Sequence, residues 1–333
     1  MNAIRGFGFR LAGSGIALPQ TAIPSAEIDA RIGRSAGWTG ANFGIENRYW
    51  VRADETSSSL GAMAGSAALK AAHWDAGDID VLISACGVME QPIPGNAALI
   101  QRRLGIGGSG ITAFDVNATC LSFLVALDTL VTGMVVGKWR RGLIVSVDIA
   151  SAALDFSAPE ASAIFGDGAA AVAIEAGGPS HLLACRLATY GDHAGLCRLE
   201  SGGTRMRPED DLAAFLEAAK FRMDGPALFA ATARRFPRFL RDLLAESGVA
   251  IDAIDTIVPH QASAAALEHL KRSIPDGHAK TLDIFRAHGN QIAASMPHAL
   301  HVARERGLTA PDDHTLLIGS SAGVSLGGAV IRW

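Results

Sequence analysis

The chain has 333 residues, 49% of them apolar and 19% charged, with 29 basic side chains against 33 acidic ones and a net charge of −4. That composition is globular and long enough for two domains or two fused halves. A mildly acidic chain without a basic run argues against a nucleic-acid partner, and no apolar window of about 18 residues offers a membrane span.

The N-terminal stretch MNAIRGFGFRLAGSGIALP is too broken by glycine for a secretory leader. Cys86, Cys120, Cys185 and Cys197 form no CxxC pair. Four cysteines in so long a chain do not make a disulfide scaffold, so a reducing cytoplasmic setting is expected. The 37 glycines, set against two tyrosines, suggest close packing of helices on sheets.

Apolar periodicity predicts the following elements in chain order. A helix covers Ser57–Ala72, a strand Asp80–Ser84, a helix Gly95–Leu104 and a strand Ile111–Val116. Next come a helix over Leu121–Met134 and strands over Leu143–Val147 and Ala170–Ile174. The polar segment Ser201–Asp211 reads as a surface loop. Beyond it lie a helix Pro226–Glu246, a strand Ile254–Val258, a helix Ala262–Arg272, a strand Leu282–Phe285 and a helix Gln291–Arg306. Strands Thr315–Ile318 and Ala329–Arg332 end the chain. Short strands alternating with longer helices give an α/β fold.

Three segments recur in one order at nearly one spacing. IDVLISACG from Ile79 resembles IDTIVPHQA from Ile254, AFDVNATC resembles IFRAHGNQ through Phe114 and Phe285, and GLIVSVDIA from Gly142 resembles TLLIGSSAG from Thr315. The offsets run from 171 to 175 residues. Two layered α/β halves, 1–175 and 176–333, are the simplest reading.

Three motifs fail on context. Gly105-Ile-Gly107-Gly-Ser-Gly110 fits a dinucleotide fingerprint but precedes its strand instead of following one. Gly319-Ser-Ser321-Ala-Gly323 fits a nucleophile elbow, yet no His, Asp or Glu follows Ser321 to complete a triad. Gly166-Asp167-Gly168 is a turn before a strand, neither a phosphate loop nor a metal site by itself.

Cys120 stands between a strand and an apolar helix. A helix N-terminus favours a thiolate and is expected to lower the thiol pKa, which suits attack on a thioester. A small buried core cysteine is the alternative. His260 ends the strand IDTIVPH, and Asn290 follows TLDIF and opens a helix. Both are placed where open α/β sheets build sites, at strand C-terminal ends. Turn or capping roles would also suit them, and His288, His298 and His301 compete with His260 on position alone.

FDVNATCLSFL, IVPHQAS and HGNQIAASMPHAL together resemble the three active-site motifs of β-ketoacyl-acyl-carrier-protein synthase III. FGDGAAAV, MDGPALF and the terminus GGAVIRW resemble the same family, in register over essentially the whole chain. The resemblance implies the thiolase fold, two similar halves in a five-layered αβαβα sandwich, usually homodimeric. It implies Cys120 as acyl-accepting nucleophile, with backbone N–H groups of Cys120 and Ala322 as oxyanion hole. His260 and Asn290 would then hold the second substrate's thioester oxygen. Substrates would be acyl-coenzyme A or acyl-carrier-protein thioesters, with no metal and no further cofactor.

The sequence departs from the family around the substrate. Trp38 occupies the position that faces the coenzyme A adenine, but two arginines that help to hold that nucleotide are Asn42 and Pro159. The loss removes charge-assisted contact, so either coenzyme A binds weakly or an acyl-carrier protein delivers the acyl group. The carrier-docking arginine is Ala265. Arg234, Arg235, Arg238, Arg241, Lys271 and Arg272 lie nearby, either as a steering patch or as a solvated face paired with Asp242 and Glu246. The loop SSAGVSLGG puts Val324 where an aromatic stands near the enolate site. Ile93 falls near the segment that closes the partner subunit's acyl tunnel.

Decarboxylative condensation with a malonyl thioester, in fatty-acid or specialised polyketide synthesis, is the leading expectation. An acyltransferase using an oxygen, nitrogen or preformed carbon nucleophile is the alternative, with His260 as general base. Non-decarboxylating condensation of two acyl thioesters lies between them. A catalytically silent heterodimer partner is the reading from another class, and Cys120, His260 and Asn290 together speak against it.

Overall fold

A computed structural model describes residues 6–333, apart from the side chains of residues 160 and 161. The first five residues of the glycine-broken N-terminal stretch lie outside the described residues.

The strands of the main sheet are β1 (Gly8–Ala17), β2 (Val81–Ala85), β3 (Thr112–Val116), β4 (Arg141–Asp148), β5 (Gly168–Ala176), β6 (Ser180–Thr189), β7 (Thr256–Pro259), β8 (His314–Ser321) and β9 (Ser325–Arg332). They form one nine-stranded sheet in the order β7-β8-β9-β6-β1-β5-β4-β2-β3. Helices α1 (Ser57–Ala72), α2 (Asn96–Arg103), α3 (Ser122–Val135), α4 (Gly225–Ala233), α5 (Phe236–Ser247), α6 (Ala264–Ser273) and α7 (Ser295–Glu305) pack on its faces.

The two halves repeat one topology. In the first, β2 pairs in parallel with β3 and β4, while β4–β5 and β5–β1 are antiparallel. In the second, β7 pairs in parallel with β8, while β8–β9 and β9–β6 are antiparallel. The halves meet where Gly8 and Phe9 pair with His181 and Ser180, at the start of β1 and β6.

Side-chain alternation along these strands separates three apolar layers. Val81 and Ile83 of β2, Ile144 of β4, Leu317 of β8 and Ala329 of β9 face a central core with α3 and α7. Leu82, Leu143, Val145 and Ala171 turn the other way, onto α1 and α2. Leu316, Ile318, Leu326 and Val330 pack on α5 and α6. The result is the five-layered αβαβα sandwich. Helix α3 lies in the middle layer and buries Phe123, Leu124, Leu127, Leu130, Val131 and Met134. That burial contributes on the order of 10 kcal/mol before the entropy of ordering is subtracted.

Three expectations need correction. Leu282–Phe285 is not a strand: Thr281 makes a single bridge to Ile257, and a short helix follows at Phe285–His288. The Gln261 side chain takes over the backbone there, accepting from Ile284 N (3.0 Å) and donating to Leu282 O (3.2 Å), while Asp283 accepts from Phe285 N (3.1 Å). Pro226–Glu246 is two helices, α4 and α5, parted ahead of Pro237, whose ring disfavours continued helix. The helix expected from Gln291 begins as a 3₁₀ turn at Ile292–Ala294.

Strands β1 and β6 have no counterpart among the predicted elements. In β1, a Cβ at Gly13 or Gly15 would come within 2.2 Å of Ala68 O or 2.5 Å of Ala67 Cβ on α1. Glycines that read as breakers are therefore what lets helix and strand approach. Gly105 ends the turn after α2 with φ +78°, so the dinucleotide-like motif is a helix exit.

A histidine cluster lies apart from the strand ends. His288 stacks on Tyr49 with centroids 5.8 Å apart and meets His298 edge-on at 4.6 Å, and His298 Nδ1 is 2.7 Å from Gln291 Oε1. His301 Nδ1 is 2.9 Å from Ser14 Oγ. Burial pulls the His298 pKa down to about 3. Its neutral form is favoured by the fold, so its contribution to stability is complete above pH ~6.5 and is lost as the pH falls toward 3. Burial raises the Asp148 and Asp167 carboxyls to about 7 and about 6, and that contribution has the opposite sign, lost as the pH rises from about 4 through those values. Thermal melts between pH 6.5 and 4 should therefore show a shallower acid-side fall for His298→Gln than for the wild type. Equal slopes would contradict the assignment.

Candidate active site

Cys120 sits in the turn between β3 and α3, two residues ahead of the first helical residue. Thr119 takes φ +51°, and Ser122 Oγ accepts from Ala118 N (2.9 Å) and donates to Thr119 O (2.6 Å). These bonds fold the turn tightly and leave Cys120 partly exposed. Across the sheet, Ser321 Oγ donates to Ala118 O at 2.9 Å, which draws the end of β8 onto the same turn. Ser321 is thus a structural donor, in keeping with its rejection as a triad nucleophile.

The backbone N–H groups of Cys120 and Ala322 both lie against the Cys120 sulfur and favour its ionised form. Burial outweighs them, pushes the thiol well up, and is reinforced by Cys197 and Asp148. The lowered pKa expected from the helix start is therefore not found, because an apolar wall surrounds the sulfur. Cys120 packs against an apolar cluster that includes Ile45, Ile164, Phe165, Leu267, Phe285 and Ile292.

His260 follows β7 and is 5% exposed. Gly319 of β8 lies between it and the Cys120 turn: a Cβ there would stand 2.6 Å from His260 Cβ and 3.4 Å from Leu121 Cδ2. Burial lowers the His260 pKa to about 4, so the ring is neutral near pH 7 and carries one proton. Gly319→Ala should displace the imidazole, and a misplacement near 1 Å costs about 100-fold in turnover. The comparison to make is condensation rate against an unchanged far-ultraviolet circular dichroism spectrum.

Asn290 is 6% exposed and follows the short helix, not a strand. Its Oδ1 accepts from Ile292 N (2.8 Å) and its Nδ2 donates to Ala262 O (3.2 Å). These bonds fix the amide orientation, tie Asn290 to the His260 loop and leave one amide N–H uncommitted. His288, His298 and His301 do not share this arrangement; they belong to the histidine cluster that α7 carries.

The remaining expected positions are less central. Trp38 opens the short helix Trp38–Phe43, with Phe43 edge-on at 5.4 Å and the Arg34 guanidinium 5.1 Å over its ring. Asn42 Nδ2 donates to Trp38 O (2.8 Å), and Pro159 starts the helix Pro159–Ser162. Val324 is fully buried, its backbone paired with Tyr190 at 2.7 and 3.1 Å. Ser320, not Val324, lines a cavity with His260. Ile93 is 86% exposed.

The basic group is largely tied up. Arg238 and Arg241 lean on Asp242 at 3.8 and 3.9 Å, Lys271 pairs with Asp283 and Arg272 with Glu268. Arg235 stacks on Tyr190 at 4.4 Å, and Glu246 pairs with Arg186 rather than with this group.

Sequence reasoning missed several supporting residues. Asp148 Oδ1 accepts from Gly87 N (2.8 Å) and Val88 N (2.7 Å), and its Oδ2 from Ala293 N (2.9 Å), joining three loops around the cysteine. Asp167 similarly accepts from Val51 N and Ser151 N, both at 2.9 Å. An Asp at a strand end was the available signal, but it does not separate a loop anchor from a solvated carboxylate. Among the described residues no helix is long and apolar enough to cross a membrane, and no group of three His, Cys, Asp or Glu could hold a metal.

Comparison with known proteins places this geometry. The profile described as 3-oxoacyl-[acyl-carrier-protein] synthase III matches residues 114–191, and that of its C-terminal part matches residues 244–333. The β-ketoacyl-[acyl-carrier-protein] synthase III of Rhizorhabdus wittichii is 32% identical over 326 residues, covering 96% of this chain and 98% of that one. Its namesake from Bordetella petrii is 32% identical over 327 residues, covering 97% of each. The crystal structure of 3-oxoacyl-[acyl-carrier-protein] synthase III from Aquifex aeolicus superposes with a TM-score of 0.87 at 27% identity, covering 98% of this chain and all of that one (100%). OleA from Xanthomonas campestris, at 22% identity and a TM-score of 0.84 with 98% of each chain covered, shares the fold. With the thiolase fold and near-complete coverage by relatives of one name, the chain belongs to the β-ketoacyl-acyl-carrier-protein synthase III family of condensing enzymes.

Proposed function

We propose that the chain loads an acyl group on Cys120 and condenses it, with decarboxylation, onto a malonyl thioester. The convergence of two backbone N–H groups on the Cys120 sulfur, beside a neutral His260 and an oriented Asn290 amide, carries this reading.

The Cys120 sulfur attacks the acyl carbonyl carbon. The N–H groups of Cys120 and Ala322 take the developing oxyanion, and each such donor is worth ~3 kcal/mol of barrier. Collapse breaks the bond to the carrier sulfur, which leaves with the proton that Cys120 gave up. A malonyl thioester then loses its carboxylate as carbon dioxide, and the electron pair of that bond becomes an enolate. One ring N–H of His260 and the uncommitted N–H of Asn290 hold the enolate oxygen. The enolate carbon attacks the acyl carbon, the C–S bond to Cys120 breaks, and the thiolate recovers a proton from solvent. The apolar wall around the sulfur suits an alkyl chain and excludes water that would hydrolyse the acyl-enzyme.

The division into halves at 175/176 puts Cys120 on one half and His260 and Asn290 on the other, as the resemblance implies. The replaced nucleotide arginines favour an acyl-carrier protein over coenzyme A as donor. An exposed Ile93 fits a homodimer in which that loop reaches the partner's acyl pocket. No metal or further cofactor enters these steps, and a cytoplasmic setting suits thioester substrates.

The test is peptide mapping by mass spectrometry after incubation with a panel of acyl thioesters on both carriers. An acyl adduct confined to the Cys120 peptide supports the reading. An adduct that malonyl thioester leaves untouched but an alcohol or amine discharges would move the assignment to the acyltransferase alternative.

A further inference from the structure

Behind His260, between the second half-sheet and helices α4 to α6, lies a cavity of about 70 Å³. Its walls include His260, His269, Phe229, Phe236, Thr232 and Ser320. Nδ1 of His260 and Nε2 of His269 are both sealed from bulk solvent, and neither has a hydrogen-bond partner among the described residues. Two residues that line one cavity each carry an orphaned ring nitrogen, and these require an account, because an unpaired buried polar atom is costly.

Edge contacts restrain the His269 ring: Phe229 lies 5.4 Å away at 77° and Phe236 6.1 Å away at 64°. Thr232 spends its hydroxyl proton on Leu228 O (3.0 Å) or Phe229 O (2.9 Å), so toward the cavity it can only accept. A water takes about 30 Å³ and needs two to four polar partners, which this cavity supplies.

We propose that His269 is a positioning residue for His260, acting through water held in this cavity. His269 Nε2–H donates to the water oxygen. The water donates one proton to His260 Nδ1 and the other to Thr232 Oγ1 or Ser320 Oγ. With Nδ1 accepting, the single proton of neutral His260 is fixed on Nε2, the tautomer that donates to a substrate oxygen. Both orphaned nitrogens are satisfied at once. The functional consequence rests on the enolate-holding role assigned to His260; the tautomer itself does not.

Nitrogen-15 NMR of the full-length protein labelled at histidine reads that tautomer directly. In the wild type His260 should be protonated at Nε2. His269→Gln, whose amide N–H can reach the Nε2 position, should preserve this state. His269→Phe and His269→Asn should mix the two tautomers and lower kcat about tenfold with KM little changed. His269→Asn keeps a polar side chain and serves if the phenylalanine variant does not fold. An unchanged His260 tautomer in both donor-removing variants would overturn the proposal, as would an equal shift in His269→Gln. Failure of the condensation reading gives a different result: malonyl thioester would leave the wild-type Cys120 adduct undischarged, whatever the His260 tautomer.

Discussion

Cys120→Ala should carry no acyl adduct with any thioester and should lose condensation by at least about 10⁴-fold, the scale seen when a covalent nucleophile is removed. Alanine keeps the small volume of the turn, and the Ser122 and Ser321 bonds that shape it do not use the sulfur. The variant should therefore fold and melt like the wild type. Loss of adduct with retained stability separates a nucleophile from a core cysteine. A thiol raised by burial also predicts slow alkylation by iodoacetamide at neutral pH.

His260→Ala and Asn290→Ala should divide the reaction at a different point. Each removes one donor to the enolate oxygen while leaving the N–H groups beside the sulfur in place. The Cys120 adduct should still form, and its discharge by malonyl thioester should slow by about 10²- to 10³-fold. Asn290→Ala also frees Ala262 O and Ile292 N, so its melting temperature should fall more than that of His260→Ala. Stopped-quench mass spectrometry that counts adduct before and after malonyl addition makes the comparison. A variant that fails at loading would place its residue in the first half-reaction instead.

The central strands and the candidate nucleophile's place were legible for a common reason. Val81–Ala85 and the centre of β8, Thr315–Ile318, are buried on both faces and read as short, mostly apolar runs. Cys120 and His260 lie where such runs end, whereas Asn290 follows the short helix Phe285–His288. Strand β1 was hidden because Gly13 and Gly15 serve contacts with α1 that no local pattern encodes. Leu282–Phe285 was misread because its backbone partners come from the side chain of Gln261. The thiol pKa was misjudged because a helix start is visible in sequence, whereas the apolar wall assembles from residues as distant as Ile45 and Ile292. Ser320 and His269 gain meaning only from the cavity they share with His260.

The most direct measurement is a single-turnover chase. Enzyme acylated on Cys120 and freed of donor is mixed with malonyl thioester labelled at the carboxylate carbon. Labelled carbon dioxide, β-ketoacyl product and lost adduct are then counted together. Decarboxylative condensation predicts the three in equal amounts and at one rate. Discharge of the adduct without carbon dioxide, or release of carbon dioxide with the adduct intact, would contradict it.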